Sequence, residues 1–132
     1  MSGDLFPQGA ALVVGGSGGI GQAVCRELAR AGTDVALTYH GRQSAAEKLG
    51  QEIRALGRKA TVHQLTIGDP DKVDAVVADA AREHSRLHTI VVGAGTLPKQ
   101  VLLSQMSREQ WRTIVDQDLN GFFNVVQATL PR

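Results

Sequence analysis

The sequence predicts an α/β fold with a doubly wound parallel sheet, and three observations carry that prediction. Short apolar runs at residues 10–14, 34–39, 59–65 and 89–92 alternate with longer segments of helical period, giving the order βαβαβαβα. Close-spaced glycines join the first strand to the first helix in the stretch AALVVGGSGGIGQ, residues 10–22. Right-handed crossovers between parallel strands then give the spatial order 3-2-1-4, with the glycine turn at the point where strand order reverses.

The first strand, Ala10 to Val14, is continuously apolar, as suits a parallel strand covered on both faces. After it, Gly16, Gly18 and Gly21 fit G-x-G-x-x-G, while Gly15, Gly19 and Gly21 fit G-x-x-x-G-x-G. Both spacings describe a Rossmann-type device in which a side-chain-free loop brings backbone N–H groups against a pyrophosphate at the positive end of a helix. An ordinary tight βα turn is the alternative. In the helix that follows, Ile20, Val24, Leu28 and Ala31 mark one apolar face, and Gly32 ends it.

Asp34 to Tyr39 reads as the second strand, with HGRQS at its end. In dinucleotide folds an acid there holds the ribose 2′-hydroxyl of NAD. Here Tyr39, His40, Gly41 and Arg42 stand in its place, so a 2′-phosphate would meet a guanidinium and NADP(H) is favoured over NAD(H). Arg42 as a solvated loop cation is the other reading. Ser44 and Glu47 have capping-box spacing, and Ala46, Leu49, Ile53 and Leu56 give the inner face of a helix closed by Gly57. Lys59 to Leu65 is the third strand, with His63 structural or exposed. Asp69 and Pro70 cap a third helix whose inner face is Val73, Val76, Val77, Ala80 and Ala81.

The fourth strand, Thr89 to Val92, runs into Gly93, Ala94, Gly95 and Thr96, a second bare turn on which a flat cofactor could lie. Ser107 and Gln110 form a capping box. Trp111, Ile114, Val115, Leu119, Phe122, Phe123 and Val126 then trace a wide apolar stripe, read chiefly as core and alternatively as a partner surface.

The 132 residues make one domain, 10–132, after a loose N-terminal arm over 1–9. A formal net charge of +1, with no basic block, points away from nucleic acid and anionic membrane and toward a small-molecule partner. One cysteine, Cys25, excludes an internal disulfide, and no spaced His or Cys cluster suggests zinc. No run approaches membrane-spanning length, so a cytoplasmic setting is the expectation.

ALVVGGSGGIGQAV, VVGAG and WRTIVDQDLNGFFNVVQA together resemble the short-chain dehydrogenase/reductase family, particularly its 3-oxoacyl-carrier-protein reductase-like members. The resemblance implies that Gly15, Gly19 and Gly21 shape a pyrophosphate turn lined by Ser17, Gly18 and Ile20. It places Arg42 near the 2′-phosphate, Ile67 near the adenine, and Gly93, Ala94 and Gly95 beneath the adenosine side, and His40 is counted with them among the cofactor-binding residues. It also implies a carbonyl or alcohol substrate and a homo-oligomer for the full-length protein. The family usually has Thr at Val14, Asp at Thr66 and Asn at Gly93. In its N-L-x-G pattern the relay Asn corresponds to Asp118, with Asn120 two residues on. The family's Ser and Tyr-x-x-x-Lys would fall beyond Arg132. The expectation is therefore an incomplete, cofactor-binding half that is inactive alone, the only tyrosine, Tyr39, being followed at the fourth position by Gln43. The alternatives are a non-catalytic dinucleotide-binding or scaffold module and, with less support from Tyr39 and His40, an S-adenosylmethionine methyltransferase.

Overall fold

The computed structural model describes residues 5–94 and 100–131. Its four strands are β1 (Ala10–Val14), β2 (Asp34–Tyr39), β3 (Ala60–Gln64) and β4 (Leu87–Val92), all parallel in the order β3-β2-β1-β4. The expected 3-2-1-4 sheet is present. Between them lie α1 (Gly19–Arg30), α2 (Gln43–Ala55) and α3 (Pro70–His84). After β4 come a 3₁₀ turn (Leu103–Gln105), α4 (Arg108–Ile114), a π-helical segment (Val115–Asn120) and α5 (Gly121–Thr129).

Alternation along β1 sends its side chains to two separate cores. Leu12 and Val14 pack with Val73, Val77 and Ala80 of α3 and Val125 of α5, while Val13 packs with Cys25 of α1 and Ala46, Leu49 and Ile53 of α2. All five residues of β1 are buried, so the strand that leads into the glycine turn is held from both faces. Burial likewise pushes the Cys25 thiol up to about 12.

Local signals account for most helix ends. The Asp69 carboxylate accepts from the backbone N–H groups of Asp71 and Lys72, with Pro70 in the first turn of α3. Ser107 and Gln110 form the expected capping box on α4. Gly57 closes α2 at φ +85°, a conformation costly for a residue with a Cβ.

Three helix readings need correction. Helix α1 buries Gly21, Cys25 and Ala29, whereas Ile20 is 82% exposed; the apolar spacing read from Ile20 is one position out of phase with the face that meets the sheet. Ser44 and Glu47 form no capping box, because α2 begins at Gln43 and places Ser44 inside the first turn. Leu56 lies beyond that helix and is exposed. His63 takes the structural of its two expected roles, sitting 3.1 Å from Glu83 Oε1 between β3 and α3. The N-terminal arm is anchored at its described end, where Phe6 stacks on His88 with ring centroids 5.4 Å apart.

The aromatic stripe is the largest departure. Trp111, Leu119, Phe122 and Phe123 are all at least half exposed, and the residues that α5 buries are Gly121, Val125 and Thr129. The π-helical segment adds one residue to the local turn and so rotates the later apolar positions away from the core.

Candidate functional site

Glycines in the turn do two different jobs, and the space around each tells them apart. Gly15 has φ +81°, and a Cβ there would lie 2.7 Å from the Ala94 backbone nitrogen. A Cβ on Gly16 would meet Leu37 Cβ at 2.8 Å, and one on Gly21 would sit 2.2 Å from the Gly15 carbonyl oxygen. These three are required by the protein's own packing. Around Gly19 there is nothing within 4 Å, and around Gly18 the nearest atom is the Gly15 oxygen at 3.6 Å. Their missing side chains leave open space on the outer side of the turn.

Following the backbone donors explains what that space can accept. The N–H of Gly15 donates to Thr38 Oγ1, that of Gly16 to the Thr38 carbonyl, and that of Gly18 to the Gly15 carbonyl. Gln22 N–H closes onto the Gly18 carbonyl. The first-turn N–H groups of Gly19, Ile20 and Gly21 have no acceptor among the described residues. They lie at the positive end of α1, the arrangement that binds a phosphate group. Ser17 is buried, and its carbonyl accepts from Gln22 Nε2 at 2.8 Å, which braces the turn.

A cavity of about 180 Å³ opens beside the turn, at the carboxyl ends of the strands where their order reverses. It is lined by Val14, Gly15, Thr38, Tyr39, His40, Leu65, Thr66, Ile67, Ala94 and Gln117. Of the residues named from the sequence, the structure places Gly15, His40, Ile67 and Ala94 along this one cavity. Ile67 is fixed from behind: a Cβ on Gly121 would meet its side chain at 2.7 Å, and its carbonyl accepts from Asn124 Nδ2 at 3.0 Å. His40 Nδ1 and Thr66 Oγ1 are 3.4 Å apart, closing the far rim.

Other expected residues stand outside this lining. Arg42 is exposed at the start of α2, beyond the His40 end. Gly93 is exposed, with its N–H donating to the Val14 carbonyl, and Gly95 lies outside the described residues. Asp118 is exposed in the π-helical segment, next to the cavity-lining Gln117. Sequence reading missed Thr38 and Gln117. Thr38 had a visible signal, a polar residue inside the apolar run DVALTY; Gln117 had none, since only the π-helical turn aims it at the cavity.

Known proteins resemble this chain in sequence and fold. The family model described as short chain dehydrogenase matches residues 9–132. A 3-oxoacyl-acyl-carrier-protein reductase, FabG of Staphylococcus aureus, is 33% identical over 123 residues, covering 93% of this chain and 50% of that protein. The short-chain dehydrogenase/reductase FrzI of Cladobotryum sp is 40% identical over 121 residues, covering 92% of this chain and 46% of that one. Among solved structures, a blue fluorescent protein from a metagenomic library, in complex with NADPH, superposes with a TM-score of 0.86 at 30% identity, over 93% of this chain and 50% of that chain. An actinorhodin polyketide ketoreductase variant with NADPH gives 0.85 at 25% identity, over 93% and 46%. The chain spans about half the length of the curated relatives it matches.

Proposed function

The chain belongs to the short chain dehydrogenase family, and from that premise we propose that it is the NADP(H)-binding portion of a reductase moving hydride between a nicotinamide cofactor and a small carbonyl or alcohol substrate. One observation carries the proposal: three N–H groups at the start of α1, without an acceptor among the described residues, stand by the open space left by Gly18 and Gly19, near a cavity at the strand-order reversal. A pyrophosphate fits that cradle by charge and by donor direction. The cofactor, when bound, supplies the hydride. The chain's own residues bind and orient it.

In this reading Gly19 and Ile20 hold the pyrophosphate through their backbone, with Ser17, Gly18 and Gly21 shaping the turn. His40 and Ile67 flank the adenosine, and Gly93, Ala94 and Gly95 pass beneath it. Arg42, exposed just beyond His40, is placed to reach a 2′-phosphate, and no acid at the end of β2 opposes that phosphate. Asp118 occupies the position of the family's relay Asn and, when ionised, can accept but not donate a hydrogen bond. Tyr39 lines the cavity at its ribose end and has Gln43 four residues on, so it is no proton donor for a carbonyl.

The test is a titration of NADPH and NADH against the parent and Arg42→Ala. The proposal expects the parent to prefer NADPH by roughly ten- to a hundredfold, the worth of a charge-assisted hydrogen bond, and expects Arg42→Ala to lose that preference. Equal affinities in the parent would overturn the cofactor choice. Binding of neither would overturn the dinucleotide reading.

A further inference from the structure

We propose that Thr38 is the positioning residue that sets the glycine turn for its ligand, an inference that rests on the dinucleotide reading above. Thr38 is 1% exposed on the central strand β2. It takes up two consecutive donors of the turn: its hydroxyl oxygen accepts from Gly15 N–H at 3.1 Å, and its carbonyl accepts from Gly16 N–H at 2.9 Å. The same residue lines the cavity.

This double attachment decides which N–H groups remain for a ligand. Gly15 and Gly16 are turned inward onto β2, so the pyrophosphate is left to the donors that follow, at Gly19 and Ile20. The attachment also selects one conformation from the wide range open to a glycine backbone. Gly15 sits at φ +81°, where a Cβ would strike the Gly93 and Ala94 backbone, and a Cβ on Gly16 would strike Leu37. Of the two bonds, the one to the Thr38 carbonyl would survive any substitution, whereas the one to Oγ1 depends on the side chain. Valine has nearly the shape of threonine and cannot accept that bond. Removing the acceptor frees Gly15 N–H to reorient, and the turn then populates geometries in which the Gly19 and Ile20 donors no longer converge on one phosphate.

The experiment compares Thr38→Val, Thr38→Ser and Val35→Ala with the parent chain, measuring the Kd for NADPH and the amide hydrogen exchange of Gly15. Val35 is buried at the other end of the same strand and touches neither turn glycine by hydrogen bond, so Val35→Ala reports loss of core alone. The assignment expects Thr38→Val to raise Kd at least tenfold and to speed Gly15 exchange relative to its neighbours. It expects Thr38→Ser to stay within about threefold of the parent, and Val35→Ala to lower the melting temperature while leaving Kd within threefold. If Thr38→Val does not fold, Thr38→Ser carries the test through Gly15 protection, which must match the parent. NADPH binding by the parent together with unchanged Kd in Thr38→Val, or with equal weakening in Val35→Ala, overturns the assignment and leaves the dinucleotide reading standing. A parent that binds no dinucleotide overturns both.

Discussion

Two helical regions of the chain are treated in opposite ways by their surroundings. At α1, tertiary packing specifies the glycine turn almost atom by atom: Gly15, Gly16 and Gly21 have no room for a Cβ, and Ser17 is buried beneath them. At the segment from α4 through α5, large apolar side chains stand in solvent, with Trp111 56% and Phe123 59% exposed, although Val125 and Thr129 on the same helix are buried. The difference teaches that apolar character alone does not locate the core. Beneath the glycine turn, small residues are the ones buried, because the helix must approach the sheet closely. On α5 the same rule holds, with Gly121 against Ile67, and the aromatics are left for another surface.

Breaking each side of this contrast should give effects of very different size. Truncating the packed side by Leu37→Ala, a fully buried residue against the turn and α2, is expected to cost about 2–5 kcal/mol in urea unfolding. Gly21→Ala should cost about 1–3 kcal/mol, since its Cβ would strike backbone that cannot yield without moving the turn. On the α5 side, Phe123→Ser should change stability by no more than about 0.5 kcal/mol. It should also shift the chain toward monomer in light-scattering measurements, because exposed aromatic surface favours self-association. A cost above about 2 kcal/mol for Phe123→Ser would show that the aromatic is core after all.

Acid sensitivity sharpens the contrast between well-paired and poorly paired polar groups. His84 is buried at the end of α3 with Nε2 2.8 Å from Thr61 Oγ1, and its Nδ1 has no hydrogen-bond partner among the described residues. Burial, followed by the nearby Lys59 cation, holds it below the ordinary value of 6.5. Burial, and then Arg86, lower His88 in the same way. The unfolded chain therefore binds more protons as pH drops through about 6.5, so stability is full above that pH and declines below it toward the folded-state values. Thr61 would tolerate glutamine at His84 as a neutral partner, and His84→Gln should flatten part of that decline in urea midpoints measured between pH 7.5 and 5. An unchanged slope would remove His84 from the account.

Strand positions, strand order and the glycine turn were legible because they rest on local chemistry: β-rich apolar runs, glycines where a Cβ cannot fit, and Asp69-Pro70 and Ser107…Gln110 at helix starts. The phase of α1 was not, since Ile20 looks apolar in sequence yet sits on the side of the first turn that faces away from the sheet. The exposure of Phe122 and Phe123 was not legible either, because the π-helical turn at Val115–Asn120 shifts every later residue relative to a 3.6-residue period. Of the cavity lining, Gly15, His40, Ile67 and Ala94 were already named from the sequence. The role of Thr38 was hidden because a hydrogen bond across 23 positions leaves no periodic trace.

The central claim is that Gly18 and Gly19 lack side chains for a ligand's sake and Gly15, Gly16 and Gly21 for the fold's. Gly19→Ala tests it most directly, with NADPH affinity and urea unfolding measured on the same sample. Alanine has open space at this helix position and restricts the unfolded chain, so the fold should be unchanged or stabilised by up to about 1 kcal/mol. NADPH affinity should nevertheless fall by at least tenfold, because the new methyl stands where the pyrophosphate must approach. A variant that binds NADPH as well as the parent, or one that loses affinity only in step with lost stability, would contradict the account.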